Sequence, residues 1–230
     1  MRTVAAVSIP VLWSAVILPR LQWGLRGRTA ANAAFATGYA AAFGSGSADE
    51  SPSDSSSRNG ARCDGLAWGA TLSLSIFAGY AALLTIPSTR ARLAEFASRE
   101  PEVGLAEWIL VHIPLGTVYT EELIFRATLG PLLDRACGRS GIWLGASTFG
   151  LWHIIPARAA GDSVPATVAA TALGGLILSS LRRRTGSTLA PALVHFALNA
   201  GGAIAPHLAG RLPPRGAPTR RKQVTAAKRA

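Results

Sequence analysis

Long apolar blocks separated by short charged stretches constrain this sequence more than any other feature. The clearest block covers residues 66–87 and contains no charged side chain. A helix needs about twenty apolar residues to cross the hydrocarbon core of a bilayer, and backbone groups in lipid must be hydrogen-bonded within their own segment. With 49% hydrophobic residues, 15% charged residues and a mean hydropathy of +0.30, the composition is typical of a membrane protein.

Further apolar blocks cover residues 3–19, 29–43, 107–133, 142–156, 164–181 and 189–208. The sequence therefore predicts an all-α fold, a polytopic membrane bundle of six to seven, and at most eight, transmembrane helices. The block 29–43 is Ala-rich and only weakly hydrophobic, so it is either a short span or a helix packed against other helices.

The parts outside these blocks are predicted to lie outside the bilayer or at its surface. Arg2 precedes the first block as in a signal peptide, but no small-residue cleavage signature follows, which favours a retained first span. Residues 44–64 are rich in Gly, Ser and Asp and cannot bury enough apolar surface to order themselves, so we expect a flexible extramembrane loop. Residues 206–230 are predicted to form a basic, disordered tail that can contact anionic lipid.

The formal net charge of +11 does not indicate nucleic-acid binding. Lys and Arg lie between the apolar blocks and in the tail rather than along one exposed amphipathic face, so anchoring and orientation explain them better. Much of the chain would also be insoluble without lipid. Cys63 and Cys137 are too few and too far apart for a disulfide framework or a Cys-based zinc site.

Charged residues interrupt the apolar block 107–133. Each charge at membrane depth costs about 2.5–3.5 kcal/mol on insertion scales. We therefore expect Glu121, Glu122 and Arg126 to have a functional or structural role. Positions i and i+4 share one helix face, which predicts a Glu122–Arg126 pair with a structural role. Glu121 has no such partner on its own turn, and an unpaired carboxylate suits a general base. The alternative is that Glu121 pairs with an arginine from another helix.

Histidines interrupt two later blocks. His153 is the only ionisable residue of its block, and taken alone it is better explained as a hydrogen-bonded packing residue near the membrane interface than as a site residue. His195 and Asn199 lie four residues apart and therefore on one stripe of a helix, where an imidazole and an amide donor could polarise a carbonyl. The alternative for this pair is two hydrogen bonds between helices.

Taken together, the three polar clusters favour a hydrolytic site over three unrelated packing features. They comprise a carboxylate base, two imidazoles and an amide donor, which are the groups that water-dependent hydrolysis uses. Glu121 could activate water, while His153 and His195 either hold a metal ion or transfer protons and stabilise the oxyanion. The candidate metal ligands are Glu121, His153 and His195.

The order and spacing of these motifs resemble the CPBP family, which groups CAAX prenyl proteases with bacteriocin-processing relatives and is also called Abi. The motifs are Glu-Glu-x-x-x-Arg at 121–126, Phe-x-x-x-His at 149–153 and His-x-x-x-Asn at 195–199. The resemblance covers residues 103–205 and implies a helical intramembrane endopeptidase. It implies that the Glu121 carboxylate activates water beside His153.

The resemblance also assigns the remaining motif residues and the setting of the protein. It implies that His195 and Asn199 stabilise the oxyanion and that Glu122 and Arg126 support the site. The family is commonly described as metalloproteases, which implies Zn²⁺ or another divalent metal, but the same residues fit a metal-free mechanism, and the soluble zinc-protease motif His-Glu-x-x-His is absent. The expected partners are the bilayer and a membrane-associated protein or peptide substrate, with no nucleic acid.

These patterns divide the chain into N-terminal membrane helices (1–102), a catalytic helical core (103–205) and the tail (206–230). The Ala- and Arg-rich composition favours a bacterial plasma membrane as the location. The competing hypothesis is a non-catalytic membrane transporter or immunity factor, which would use the same buried polar residues to bind a ligand or to hold helices together.

Overall fold

A computed structural model describes residues 1–44, 55–97 and 102–212 of the chain. In these ranges the chain is helical and contains no β-strand, which confirms the all-α class. The helices are α1 (Arg2–Arg20), α2 (Leu25–Phe43), α3 (Ser55–Thr85), α4 (Pro87–Glu95), α5 (105–137), α6 (Gly141–Trp152), α7 (Ile154–Ala160), α8 (Val164–Thr185) and α9 (Leu189–Arg211).

Four described helices are long and apolar enough to cross a membrane: Arg2–Arg20, Asn59–Thr85, Val164–Thr185 and Leu189–Arg211. This finding supports a membrane protein, but it does not confirm the predicted count of six to eight spans. The block 142–156 is not one continuous helix, because α6 ends at Trp152 after 12 residues and α7 restarts after His153. Such a helix is shorter than the bilayer core requires.

The predicted loop at 44–64 is helical over its second part. Helix α3 begins at Ser55, because extending an existing helix outward is far easier than starting a new one. Residues 45–54 of that loop lie outside the described residues. Helix α3 ends at Thr85 and α4 begins with Pro87 in its first turn, as the position of this proline predicts. Helix α9 extends to Arg211, and residues 213–230 of the predicted tail lie outside the described part of the chain.

Helix α5 has an unusual geometry that bears on the site. It contains two π-helical stretches, Trp108–Tyr119 and Glu122–Leu129, and Glu121 lies at the junction between them. The innermost part of the bundle forms where α5 and α6 pack against α1 and α2, with Ile124 and Leu129 fully buried. The N-terminal helices therefore cover the helices that carry two of the three polar clusters.

Small residues let α8 approach α6 closely, and this contact can be tested at two adjacent glycines. A Cβ atom at Gly175 would lie 2.9 Å from the ring of Phe149, whereas a Cβ at Gly174 would meet no atom within 4 Å. We expect Gly175→Ala to destabilise the bundle by about 1–3 kcal/mol, since overpacking displaces a buried ring. Gly174→Ala, on the same helix, should have little effect. Unfolding measurements in detergent give the comparison, and equal stabilities for the two variants would contradict this packing.

Polar contacts join the start of α5 to the start of α2. Arg26 donates two hydrogen bonds to the Glu107 carboxylate, at 2.7 and 3.0 Å, and the buried ring of His112 lies between Glu107 and Thr29. The side-chain hydrogen bonds of Arg26 and then His112 lower the pKa of Glu107 from 4.5 to about 2. These contacts therefore depend on an ionised Glu107.

The lowered pKa of Glu107 predicts how stability changes with pH. A carboxyl whose pKa is depressed in the folded state stabilises the protein fully above its unfolded pKa, and this contribution is lost as the pH falls through the folded pKa. We expect wild type to be more stable than Glu107→Gln at neutral pH and this difference to shrink between about pH 4.5 and pH 2. Melting temperatures across this range test the prediction, with Asp64→Asn, which removes an exposed carboxylate, as control. A difference that is independent of pH would contradict it.

Candidate active site

Helices α5 and α9 and the junction of α6 with α7 bring three of the predicted site residues together. The Oε2 atom of Glu121 lies 3.6 Å from Nε2 of His195 and 3.9 Å from Nε2 of His153. Glu121 and His195 are each only 6% exposed. Residues separated by up to 74 positions in the sequence thus share one buried point, as the joint pattern of the motifs predicts.

Hydrogen bonds at the far side of each imidazole determine which ring nitrogen faces Glu121. His153 Nδ1 lies 2.8 Å from the carbonyl oxygen of Phe149, and His195 Nδ1 lies 2.8 Å from Oε1 of Glu122. Both oxygens are acceptors, so each Nδ1 carries the proton, and in a neutral ring Nε2 then presents its lone pair to Glu121. The Oε2 atom of Glu121 is buried and has no hydrogen-bond partner.

Three hydrogen-bond acceptors therefore face one another: Oε2 of Glu121 and the Nε2 atoms of His153 and His195. A hydrogen-bond donor between them would satisfy these atoms. A water molecule can donate two hydrogen bonds, so it could satisfy Glu121 Oε2 and one imidazole at the same time. A buried carboxylate oxygen without a partner is otherwise unfavourable. The geometry suits a site where water is held and deprotonated.

Glu122 and Arg126 form the ion pair that their spacing predicts. Nη1 of Arg126 lies 3.3 Å from Oε1 of Glu122, and both residues are buried. The guanidinium carbon also lies 4.3 Å from the centre of the Phe149 ring, within the range of a cation–π contact. Sequence spacing did not predict the hydrogen bond from His195 to Glu122. Through this bond, Glu122 also orients an imidazole of the site.

Asn199 does not join this convergence through its side chain. It lies one turn beyond His195 on α9, as predicted, but its amide Nδ2 donates to the backbone oxygen of His195 at 3.0 Å. The side chain is half-buried. The amide has a second N–H, so an oxyanion role for Asn199 depends on where that hydrogen points and does not require this bond to be released.

Two residues that the sequence did not single out contact the site. The indole Nε1 of Trp152 donates to Oε1 of Glu121 at 3.2 Å, and the hydroxyl of Ser14 on α1 donates to the backbone oxygen of Trp152 at 2.5 Å. Both residues are 4% exposed. No periodicity or motif marks them, because their role depends on contacts between distant segments.

A largely apolar cavity of about 730 Å³ lies between α3, α5 and α9 and reaches Glu122, whereas Glu121, His153 and His195 do not line it. Glu122 lies at its wall together with Tyr119 and Leu123, and Arg62 lies among its more polar lining residues. Ligand sites are commonly concave and mostly apolar, with a few polar groups. The cavity has room for an apolar segment beside Glu122, which is hydrogen-bonded to His195.

The three converged side chains do not form a ready metal centre. Two ligands of a tetrahedral zinc ion lie roughly 3.4 Å apart, given metal–ligand distances of about 2.0–2.1 Å. The separations of 3.6 and 3.9 Å are larger. In the ranges that the structure covers, no group of three or more His, Cys, Asp or Glu side chains is arranged to hold a metal ion.

The fold and the site define a class: a helical membrane protein with a buried carboxylate and two imidazoles suited to hydrolysis. Residues 104–201 match the model of a family described as Rce1-like, the type II CAAX prenyl endopeptidases. The match confirms the CPBP resemblance and makes peptide hydrolase the enzyme class of the family. It includes all the motif residues, Glu121, Glu122, Arg126, Phe149, His153, His195 and Asn199. Comparisons with curated proteins and with solved structures found no match.

Proposed function

We propose that this protein is a multi-pass endopeptidase of the cell membrane that hydrolyses peptide bonds of membrane-associated proteins or peptides. The observation that carries the proposal is the unpartnered Oε2 atom of Glu121, which is buried and faces Nε2 of both His153 and His195. The match of residues 104–201 to an endopeptidase family supports the same reaction class. The apolar cavity beside Glu122 supports a substrate that arrives from the bilayer.

In the proposed reaction, Glu121 acts first as a general base. Its Oε2 atom accepts a proton from a water molecule, and the water oxygen attacks the carbonyl carbon of the scissile bond. A tetrahedral intermediate forms, and its oxygen carries negative charge. The proton on Glu121 is then delivered to the nitrogen of the departing amine, so the C–N bond breaks and the carboxylate is regenerated.

His195 is proposed to stabilise the oxyanion. In this role the ring takes up a second proton, on Nε2, from solvent before the attack, and the Glu122 carboxylate, which accepts from Nδ1–H, stabilises the imidazolium in the way an aspartate does in a Ser-His-Asp triad. The Nε2–H group can then donate to the oxyanion. Asn199 would join it through the second N–H of its amide, the first being bonded to the His195 carbonyl. His153, partly exposed, is proposed to orient the attacking water.

Cleavage by the full chain in liposomes tests this function. Membrane-anchored peptides are added, and mass spectrometry identifies the bond that is cut. In a single turnover in H₂¹⁸O, the label should appear in the new C-terminal carboxylate of the product and not in Glu121. Label in Glu121 would indicate a covalent acyl intermediate instead of activated water. If none of the membrane-anchored peptides is cleaved, the transporter or immunity-factor hypothesis is favoured.

Metal dependence is tested separately with the same assay. The mechanism proposed here expects activity to survive extensive treatment with a zinc chelator. Loss of activity that Zn²⁺ restores would show instead that the three side chains close around a metal ion in the working enzyme.

A further inference from the structure

The two oxygens of the Glu121 carboxylate have different surroundings. Oε1 accepts a hydrogen bond from the indole of Trp152, while Oε2 faces the two imidazoles without a partner. A carboxylate turns easily about its terminal bond, since the energy wells of that torsion are broad. A fixed donor on one oxygen therefore decides which oxygen is free and where it points.

Trp152 is itself held at a break in the helix. Helix α6 ends at Trp152, and the next residue, His153, has φ −90° and ψ 3°, outside the helical range. The backbone oxygen of Trp152 accepts a hydrogen bond from Ser14, a buried residue in the π-helical turn Trp13–Ile17 of α1. A helix end that is buried needs such partners for its carbonyl groups.

We propose that Trp152 is a positioning residue for Glu121 and that Ser14 holds Trp152 and the adjoining break in place. The inference rests on the proposed function, in which Glu121 is the base. It assigns a role to an N-terminal helix that lies outside the family segment 104–201. Helix α1 is then part of the active-site support as well as a membrane helix.

The indole N–H can be removed while the ring is retained. Trp152 packs edge-on against Phe125 with ring centres 5.8 Å apart, and Trp152→Phe keeps an aromatic ring there. We expect this variant to lower kcat by about 10- to 100-fold, since small misplacements of a catalytic group have effects of this size. KM should change little, and the melting temperature should fall modestly because the smaller ring leaves a cavity at a buried position. The matched control is Trp143→Phe, which changes a 64% exposed tryptophan on the same helix.

Ser14→Ala tests the second link. We expect kcat to fall about threefold to tenfold, because a freed carbonyl lets Trp152 shift. Ser180→Ala is the control, since that serine donates a similar hydrogen bond, to the Leu176 oxygen, on an exposed helix face. If Trp152→Phe and Ser14→Ala have the same kcat as their controls, the positioning role is wrong.

A spectroscopic readout separates this inference from the proposed function. The chain has six tryptophans, so ¹⁵N-tryptophan labelling gives indole N–H signals, and the signal missing in Trp152→Phe belongs to Trp152. Glu121→Gln and Ser14→Ala should both shift that signal, whether or not a cleavable substrate is known. An unmoved signal in Glu121→Gln would overturn the positioning role. Absence of cleavage by wild type, with the signal shifted as expected, would overturn only the endopeptidase proposal.

Discussion

Glu121→Gln is expected to lower kcat by about 10²- to 10⁴-fold while the protein stays folded, because general base catalysis contributes an effect of this size. Glutamine has nearly the same shape as glutamate, and its amide oxygen can still accept the Trp152 hydrogen bond. The amide cannot accept a proton from water at neutral pH. Initial rates on a membrane-anchored peptide, with wild type and variant reconstituted in the same liposomes, measure the effect.

Stability distinguishes loss of chemistry from loss of fold in this experiment. The variant removes a buried charge that has one unpartnered oxygen, so its melting temperature should equal or exceed that of wild type. Asp64→Asn is the control, because it removes an exposed carboxylate from a different helix. Full activity of Glu121→Gln would show that Glu121 is not the general base, and the proposed mechanism would then be wrong.

Arg126→Met is expected to destabilise the bundle by about 3–5 kcal/mol, the usual effect of breaking a buried ion pair from one side. Arg126 is 1% exposed, and its guanidinium lies 3.3 Å from Glu122 and packs on Phe149. Methionine retains much of the volume, but it leaves the Glu122 carboxylate buried without its counter-charge. Unfolding in detergent, followed by circular dichroism, measures the loss.

A second substitution tests whether charge is the cause. The double variant Arg126→Met, Glu122→Gln should recover part of the lost stability, since no buried charge is then left unpaired. It should remain poorly active, because His195 has lost the carboxylate that orients it. Arg158→Met, at an exposed arginine of α7, controls for the loss of a positive charge. If Arg126→Met loses activity but keeps its stability, Arg126 has a catalytic role and not a structural one.

Local spacing was enough to predict several of these features. Apolar length predicts helices, and the all-α class followed from it. The i,i+4 spacing of Glu122 and Arg126 predicts their ion pair, and Pro87 predicts the end of α3. These properties depend on residues within a turn or two of one another, so they can be worked out without knowing where other helices lie.

Long-range contacts were decided only by the tertiary structure. The break at His153 shortens the helix predicted over 142–156, and the carbonyl of the preceding Trp152 accepts a hydrogen bond from Ser14, 138 residues away. The same holds for the His195 bond to Glu122 and for the Trp152 bond to Glu121. Directional hydrogen bonds form only when the packing of distant helices brings donor and acceptor together, and no periodicity along the chain records that packing. The sequence by itself determined that Glu121, His153 and His195 are costly polar residues on three apolar blocks. Helix packing decided that these residues lie close together, which oxygen of Glu121 is free, and that the Asn199 amide donates to the His195 carbonyl.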